Sequence, residues 1–207
     1  MTPYSVRGSQ TLCRLLQYAD VKTALDIGSG TGEHAAIMRA AGKVVTTVSL
    51  EPPADYLCDY VGSRIIPSGF DAIWASHVLE HQPNVNLFLT QCFRDLREGG
   101  VLALTVPPHK PEIVGGHLVT WNAGILLYNL IIAGFDCRGA RVSGCYSSGL
   151  DANGEAYAPY NVSVLVRKAA ANLPALRFDS GDIARLAQFF PCPVTDGFDG
   201  RLEPIGW

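Results

Sequence analysis

Four residues near the start of the chain combine an acidic side chain with three closely spaced glycines. Asp26 lies in a short apolar stretch, and Gly28, Gly30 and Gly32 follow it as G-x-G-x-G, with Ser29 inside the pattern. Because glycine has no Cβ, the backbone can turn tightly there and approach a ligand closely. The flanking residues predict a strand before the turn and a helix after it, whose N-terminal amides point at the turn. The stretch predicts a ligand-binding turn, with a purely structural turn as the alternative.

The spacing of the glycines bears on which ligand the turn would hold. A dinucleotide fingerprint, G-x-G-x-x-G/A, ends in a small residue three positions after its second glycine. In this chain that position is Glu33. The pyrophosphate of a dinucleotide would also lie close to two carboxylates, those of Asp26 and Glu33. A cofactor that carries an ammonium and a sulfonium tolerates both charges. The pattern favours such a cofactor, and a nicotinamide dinucleotide is the alternative.

Another acidic residue, Glu51, follows the apolar, β-branched stretch from Val44 to Leu50 and precedes two prolines. That stretch predicts the second strand, with Glu51 at its end. A carboxylate in this position can accept hydrogen bonds from both hydroxyls of a ribose that lies across the first turn. Nicotinamide and sulfonium cofactors both carry such a ribose, so Glu51 does not separate them. An exposed glutamate without this role is the alternative.

His77, Glu80 and His81 form an H-x-x-E-H sequence, which binds zinc when a helix carries it. Two histidines four residues apart share a metal ion if they lie on one helix face over a full turn. Here the apolar stretch from Phe70 predicts a strand that runs directly into His77, and Pro83 follows shortly after His81. We therefore expect a strand end and a turn, and no metal site.

The periodicity of the apolar residues predicts strands that alternate with helices, which indicates a doubly wound α/β fold. Predicted helices cover residues 5–18, 33–41, 84–97, 120–133 and 179–190, and predicted strands cover 24–27, 44–50, 56–59, 70–76, 101–106, 137–146 and 161–167. Residues 151–154 are a predicted turn.

Composition limits the partners and the compartment. The 207 residues are 48% hydrophobic, enough for one domain with a sizeable core. The net charge of -3 and the lack of a Lys/Arg block predict no nucleic-acid partner. The longest apolar stretch, residues 125–133, is too short to span a membrane. Six cysteines without a C-x-x-C pair and a polar N-terminal stretch predict reduced thiols in the cytoplasm.

Two stretches together resemble the class I S-adenosylmethionine-dependent methyltransferases. The turn from Asp26 to Gly32 is similar to their motif I, and the strand from Phe70, followed by Leu-Glu-His, a helix and a further strand, is similar to their fourth and fifth strands. The stretches GGHLVTWNAGILLYNLIIAGFDC, YNVSVLVRK and FDGRLEPIGW look like a bacterial group often associated with polysaccharide and other glycan biosynthesis. The resemblance implies a Rossmann-like, seven-stranded, mostly parallel sheet with an antiparallel last strand.

The resemblance also implies roles for single residues. Those it places at S-adenosylmethionine, with S-adenosylhomocysteine as the product, are Asp26, Gly28, Ser29, Gly30, Gly32, Glu51, Asp59, Ser76 and His77. Among them, Asp59 lies at the end of the predicted third strand and would take the adenine amino group. Ser76 and His77 end the fourth strand and would lie against the cofactor.

The implied reaction is methyl transfer to a small molecule or to a sugar or glycan, with a hydroxyl oxygen favoured as the acceptor. A sugar hydroxyl has a very high pKa and needs a base or a metal ion. His117 is the first candidate base and His109 the second, because histidine titrates in a suitable range and both lie in the loop after the fifth strand. The alternative for His117 is a residue at a helix start that bonds to the backbone.

We expect a methyltransferase domain over residues 1–168, with an N-terminal helix within 1–20, and a C-terminal appendage over 169–207. The appendage is rich in aromatic residues, which predicts that it docks on the domain, on a second subunit of a homodimer, or over the substrate as a lid. Two other functions stay open. One is a non-catalytic scaffold that keeps the cofactor pocket, and the other is an NAD-dependent oxidoreductase.

Overall fold

The computed structural model describes residues 7–65, 69–144, 149–150, 156–157, 161–195, 198–202 and 204–207. A seven-stranded sheet has the order β3-β2-β1-β4-β5-β9-β6, and β7 and β8 form a separate two-stranded hairpin. The strands are β1 Thr23–Ile27, β2 Val44–Ser49, β3 Tyr56–Leu57, β4 Phe70–Ser76, β5 Leu96–Val106, β6 Arg141–Gly144, β7 Gly149–Leu150, β8 Ala156–Tyr157 and β9 Val162–Arg167.

The sheet is parallel from β3 to β5, and β9 runs antiparallel between β5 and β6. This arrangement confirms the predicted sheet with its antiparallel last strand. The carboxyl ends of five parallel strands therefore meet at one edge, where open α/β sheets bind their ligands.

Helices cover both faces of the sheet. They are α1 Ser9–Leu16, α2 Glu33–Ala40, α3 Val85–Asp95, α4 Ala123–Ile132 and the short α5 Asp182–Leu186, with 3₁₀ turns at Leu79–His81 and Ala187–Phe189. One hydrophobic cluster joins α1 and α2 to the first face of the sheet, and a larger cluster joins α3 and α4 to the other face. Asn84 and Asn122 cap α3 and α4, each accepting a hydrogen bond from a first-turn amide.

The fifth strand starts earlier than the sequence predicts. The helix predicted over residues 84–97 ends at Asp95, and Gly99 and Gly100 lie inside β5, which pairs with β4 from Leu96 onward. The pairing register shifts between Phe70 and Ala72, and a Cβ on Gly100 would lie 3.0 Å from the Phe70 carbonyl oxygen. The glycine pair therefore fits a β-bulge rather than a helix end.

The sixth strand is shorter than predicted. Residues 137–140 form a turn closed by a hydrogen bond from the Ala140 amide to the Cys137 carbonyl at 2.9 Å, and β6 begins at Arg141. The last two residues of the predicted strand, and the turn predicted at 151–154, lie outside the described residues.

The segment after Lys168 packs on the rest of the chain. Phe190 is buried in the larger cluster, and Phe198 lies against Gly124 at the start of α4. Ile205 exchanges two backbone hydrogen bonds with Val142 of β6, at 2.8 and 2.9 Å. The Ile205 bonds cover the outer edge of β6 at Val142, while the division of the chain at residue 168 stays a prediction.

Asp71 fixes the amino end of β4 to β1. Its Oδ2 accepts hydrogen bonds from the Lys22 and Thr23 amides at 2.8 Å each, and its Oδ1 accepts one from Arg97. Partial burial raises the pKa of Asp71, but the hydrogen bonds from Arg97, Thr23 and Lys22 outweigh it and lower the pKa to about 2. The carboxylate therefore stabilises the fold above about pH 4, and this stabilisation is lost as the pH falls toward 2.

We expect Asp71→Asn to lower the free energy of unfolding by about 1–3 kcal/mol at pH 7, because it removes a charge-assisted hydrogen-bond network from a partly buried site. The loss should shrink at low pH, where the wild-type carboxyl is protonated. Urea denaturation at pH 7 and pH 3 measures both effects. Glu98→Gln, an equal charge change at an exposed neighbouring residue, is the control, and an equal loss in both variants would contradict the role of Asp71.

Candidate active site

Two adjoining cavities open at the carboxyl ends of the parallel strands. The first has a volume of about 590 Å³ and is lined by the glycine turn, the end of β2, the residues after β3 and the segment after β4. The second, of about 650 Å³, is lined by the segment after β4 and the loop between β5 and α4. Among the described residues, His77 and His81 line both cavities. The two histidines therefore mark the boundary where two ligands could meet.

The glycine turn has the geometry of a close backbone approach. The Gly28 and Ser29 amides donate to the Val48 carbonyl at 2.8 and 3.1 Å, which ties the turn to β2. Gly28, Gly30 and Gly32 all have positive φ angles, of 70, 51 and 81°. A Cβ on Gly28 would lie 2.4 Å from Val78 Cγ2, whereas one on Gly30 would meet no atom within 4 Å. Gly30 lines the first cavity, so its missing side chain leaves space for a ligand.

Asp26 and Ser29 lie behind this turn rather than on the surface of either cavity. Both are buried, and Asp26 Oδ2 and Ser29 Oγ have no hydrogen-bond partner among the described residues. Burial raises the pKa of Asp26 to about 7, although the Arg39 charge and the Ala35 amide act in the opposite direction. Such orphaned polar atoms next to a cavity fit a ligand that brings a cation and hydrogen-bond donors.

Glu51 and Asp59 lie on the far side of the first cavity. Both side chains are exposed and both residues line it, Glu51 just after β2 and Asp59 just after β3. Asp59 Oδ1 accepts a hydrogen bond from the Val61 amide at 3.0 Å, which fixes the orientation of its carboxylate. The structure thus brings Glu51, Asp59 and the glycine turn to one cavity, as a ribose and an adenine would require.

Two further predicted cofactor residues, Ser76 and Gly32, are also absent from the described lining of both cavities. Ser76 does not contribute to the described lining of either cavity, and its Oγ lies 2.8 Å from Thr105 Oγ1 on β5. Gly32 also stays outside the lining and is the N-cap of α2, where its carbonyl accepts a hydrogen bond from the Ala36 amide. Their assignment to the cofactor stays a prediction.

His77 occupies a strained position directly after β4, because its φ angle of 55° is rare for a residue with a side chain. Its ring is held from both sides. Nδ1 lies 3.2 Å from Glu80 Oε1, and Nε2 lies 2.7 Å from the Asn161 side-chain oxygen. The ring is therefore fixed at the boundary between the two cavities.

The two histidines predicted as bases differ in position. His117 is half-buried and lines the second cavity, and its ring centroid lies 5.0 Å from that of His81. His109 is exposed and is not among the described residues that line either cavity. His117 is therefore the histidine of the pair that an acceptor in the second cavity would meet.

Three residues at this site were not among the predicted site residues. Glu80 and His81 belong to the 3₁₀ turn after β4, which confirms the expected turn in place of a helix-borne H-x-x-E-H motif. The Leu-Glu-His sequence directly after the fourth predicted strand could have indicated both residues as part of the site. Asn161 precedes β9 and reaches His77 because β9 inserts between β5 and β6, and no sequence signal pointed to it.

Comparisons with known proteins agree with this geometry. Residues 7–123 match the family described as methyltransferase domain. A chain of the complex between the Haloferax volcanii Trm112 methyltransferase activator and a putative methyltransferase is 13% identical, with a TM-score of 0.61 over 78% of this chain and 88% of that chain.

Two further solved structures show the same fold. Burkholderia thailandensis 1,6-didemethyltoxoflavin-N1-methyltransferase, crystallised with 1,6-didemethyltoxoflavin and S-adenosylhomocysteine, is 18% identical, with a TM-score of 0.59 over 77% of each chain. A putative methyltransferase from Bacillus halodurans is 16% identical, with a TM-score of 0.58 over 78% of this chain and 100% of that chain. No curated protein sequence gives a significant match.

The sheet order, the antiparallel β9 and the glycine turn define a class I methyltransferase fold. The chain belongs to the methyltransferase domain family, which matches more than half of its length. It is an S-adenosylmethionine-dependent methyltransferase. Within the part of the chain that the structure describes, no helix combines the length and the apolar composition needed to cross a membrane.

Proposed function

We propose that this enzyme methylates a hydroxyl oxygen of a small molecule or a sugar. The observation that carries the proposal is the second cavity, which adjoins the first at His77 and His81 and is lined by ionisable side chains. Those are Arg7, His77, Glu80, His81, Lys110, Glu112 and His117. Such a lining suits an acceptor with several hydroxyl groups, since each hydroxyl needs a hydrogen-bond partner when it leaves water.

The first cavity is the proposed cofactor site. Glu51 accepts hydrogen bonds from the ribose hydroxyls, Asp59 faces the adenine, and the open space at Gly30 admits the amino-acid part of the cofactor. Asp26 and Ser29 lie behind that part, where an ammonium and a carboxylate would satisfy their unpaired atoms. When bound, S-adenosylmethionine supplies a methyl group that its sulfonium already activates.

His117 is the residue that we propose to act on the acceptor. The acceptor oxygen forms the new O–C bond, the C–S bond breaks with its electron pair going to sulfur, and the hydroxyl proton passes to the His117 ring. Much of the acceleration comes from alignment of the reacting atoms, and His77, with partners on both ring nitrogens, fixes the boundary where they meet. An unactivated sugar hydroxyl also needs a base that accepts its proton. His117, which lines the second cavity, is the proposed base.

A glycan or another small hydroxylated molecule is the proposed acceptor class. The bacterial glycan-associated group that the chain resembles between residues 115 and 137 supports a sugar. The Burkholderia thailandensis neighbour was crystallised with a small-molecule acceptor, which supports a small molecule more generally.

The test is methyl transfer from isotopically labelled S-adenosylmethionine to a panel of sugars, nucleotide sugars and hydroxylated small molecules, with products identified by mass spectrometry. We expect His117→Gln to lower kcat/KM at least about a hundredfold while the affinity for S-adenosylhomocysteine stays unchanged. His109→Gln should cause a smaller loss, because His109 lies outside the described lining of both cavities. Methyl transfer to amines alone would contradict O-methylation. Binding of the cofactor without any methylated product would favour the non-catalytic scaffold.

A further inference from the structure

Glu80, His81 and His117 bring one carboxylate and two imidazoles together at the second cavity. One potential ligand atom from each residue lies within 4.8 Å of the other two. We propose that these three side chains bind a divalent transition-metal ion. This site differs from the H-x-x-E-H arrangement considered above, because His117 comes from a different loop and His77 is not a ligand.

Glu80 supplies the strongest reason for a cation. Its side chain is only 1% exposed, and Oε2 has no hydrogen-bond partner among the described residues. Its Oε1 accepts a hydrogen bond from His77 Nδ1 at 3.2 Å. A buried carboxylate with an unpaired oxygen is costly, and a metal ion bound to the carboxylate group offsets that cost. His77 then acts as the outer partner that orients the ligand, as such partners commonly do in metal sites.

The hydrogen bonding of His81 prepares it for the same role. Its Nδ1–H donates to the Gly116 carbonyl at 2.7 Å, which leaves the lone pair on Nε2. That Nε2 lies 3.9 Å from Glu80 Oε1. A histidine that donates one ring N–H to a backbone carbonyl while its other nitrogen faces a carboxylate has the tautomer that a metal ligand needs.

The loop that carries His117 is fastened to the turn that carries the other two ligands. The Leu118 and Val119 amides both donate to the Glu80 carbonyl, at 2.8 and 3.4 Å. The bond from His81 to Gly116 adds a third link on the other side of His117. Three hydrogen bonds around one residue hold the triad together before any ion binds.

The donor set indicates the class of metal. Two imidazoles and one carboxylate suit Zn²⁺, Co²⁺, Mn²⁺, Fe²⁺ or Ni²⁺. Two ligand atoms on one such ion are at most about 4.2 Å apart at bond lengths of about 2.1 Å, so small rotations of the accessible His81 and His117 rings complete the site. The His81 side chain is 45% exposed. The open side of the triad leaves coordination positions for water or for an acceptor oxygen.

The catalytic role of the ion rests on the proposed O-methylation, whereas the binding of the ion to the three side chains does not. An acceptor hydroxyl that coordinates the ion has a lower pKa, and its proton passes to solvent at the open side of the cavity. The oxygen then attacks the methyl group as before. With the ion bound, His117 acts on the acceptor as a ligand of that ion, whereas in the ion-free protein it is the proposed proton acceptor.

The test is titration of tag-free, chelator-treated protein with Co²⁺, whose visible absorption reports its ligands. We expect one Co²⁺ per chain and an absorption spectrum that differs from that of aqueous Co²⁺. His117→Gln should weaken Co²⁺ binding at least about tenfold and change the spectrum, while His109→Gln, a substitution in the same loop, should leave both unchanged. Isothermal titration with S-adenosylhomocysteine shows that the His117→Gln variant is folded, because His117 is not among the described residues that line the first cavity.

An unchanged Co²⁺ spectrum in His117→Gln, or no stoichiometric binding by the wild type, would overturn the metal site. Failure of the metal site and failure of the proposed function are distinguishable. If Co²⁺ binds as expected but no hydroxyl acceptor is methylated, the site stands and the O-methylation proposal falls. If chelator-treated protein binds no Co²⁺ and still methylates a hydroxyl, the metal inference falls alone.

Discussion

We expect Glu51→Ala to lower the affinity for S-adenosylhomocysteine about tenfold to a hundredfold. The substitution removes the carboxylate that faces the proposed ribose position after β2, and a charge-assisted hydrogen bond contributes about 1.5–3 kcal/mol. Because the Glu51 side chain is exposed, its removal leaves no buried void and the stability of the free protein should stay unchanged. Isothermal titration with S-adenosylhomocysteine measures the affinity.

Glu33→Ala is the matched control for this experiment. Glu33 begins α2 next to the glycine turn, is exposed, and does not belong to the described lining of the first cavity. It therefore shares the net charge change with Glu51→Ala but not the ribose contact. Equal losses in the two variants would show a general charge effect. An unchanged affinity in Glu51→Ala would refute the ribose assignment.

The affinity for S-adenosylhomocysteine should also depend on pH through Asp26. Burial raises the pKa of this carboxyl to about 7 in the free protein, so it is protonated in mildly acidic solution. An ammonium bound next to it favours the carboxylate, and binding then releases a proton. We expect the affinity to rise about tenfold per pH unit up to pH 7 and to level off above it. Titrations in buffers with different ionisation enthalpies measure the released proton.

The raised pKa of Asp26 also affects the stability of the free protein, which it lowers as the pH rises. Between about pH 4 and pH 7 the native state holds a proton that the unfolded state has lost, so the contribution of Asp26 to stability falls as the pH rises. Asp26→Asn should therefore make the free protein more stable at pH 8 than the wild type. It should also bind the cofactor weakly at every pH. Asp59→Asn should keep the pH dependence, and a pH-independent wild type would contradict the assignment.

The glycine turn and Glu51 of the first cavity could be located from the sequence because each is marked by neighbouring residues. The turn from Gly28 to Gly32 and the strand that precedes it occupy consecutive residues, and the glycines are required by positive φ angles. Glu51 follows β2 directly, so placing the strand also placed the carboxylate. Parallel strands bring such residues to one edge whatever the details of packing.

The second cavity depends on contacts between residues that are distant in the sequence, and its lining was harder to predict. His81 and His117 are neighbours because the Leu118 and Val119 amides donate hydrogen bonds to the Glu80 carbonyl. Any residue type can make such a backbone bond, so the sequence does not reveal it. Asn161 reaches His77 because β9 inserts beside β5. A glycine pair such as Gly99 and Gly100 is common at helix ends and also in β-bulges. Here the pairing of the strand from Phe70 with the chain from Leu96 places the two glycines in a bulge.

The narrow boundary between the two cavities has an evolutionary consequence. His77 and His81 are the described residues that both cavities share, and the rest of the second cavity's lining comes largely from the loop between β5 and α4. On the proposed assignment of the two cavities, substitutions in that loop alter which molecule is methylated without disturbing the contacts that hold the methyl donor. Selection can act on the two halves separately, so related enzymes can diverge in acceptor while they keep a common donor.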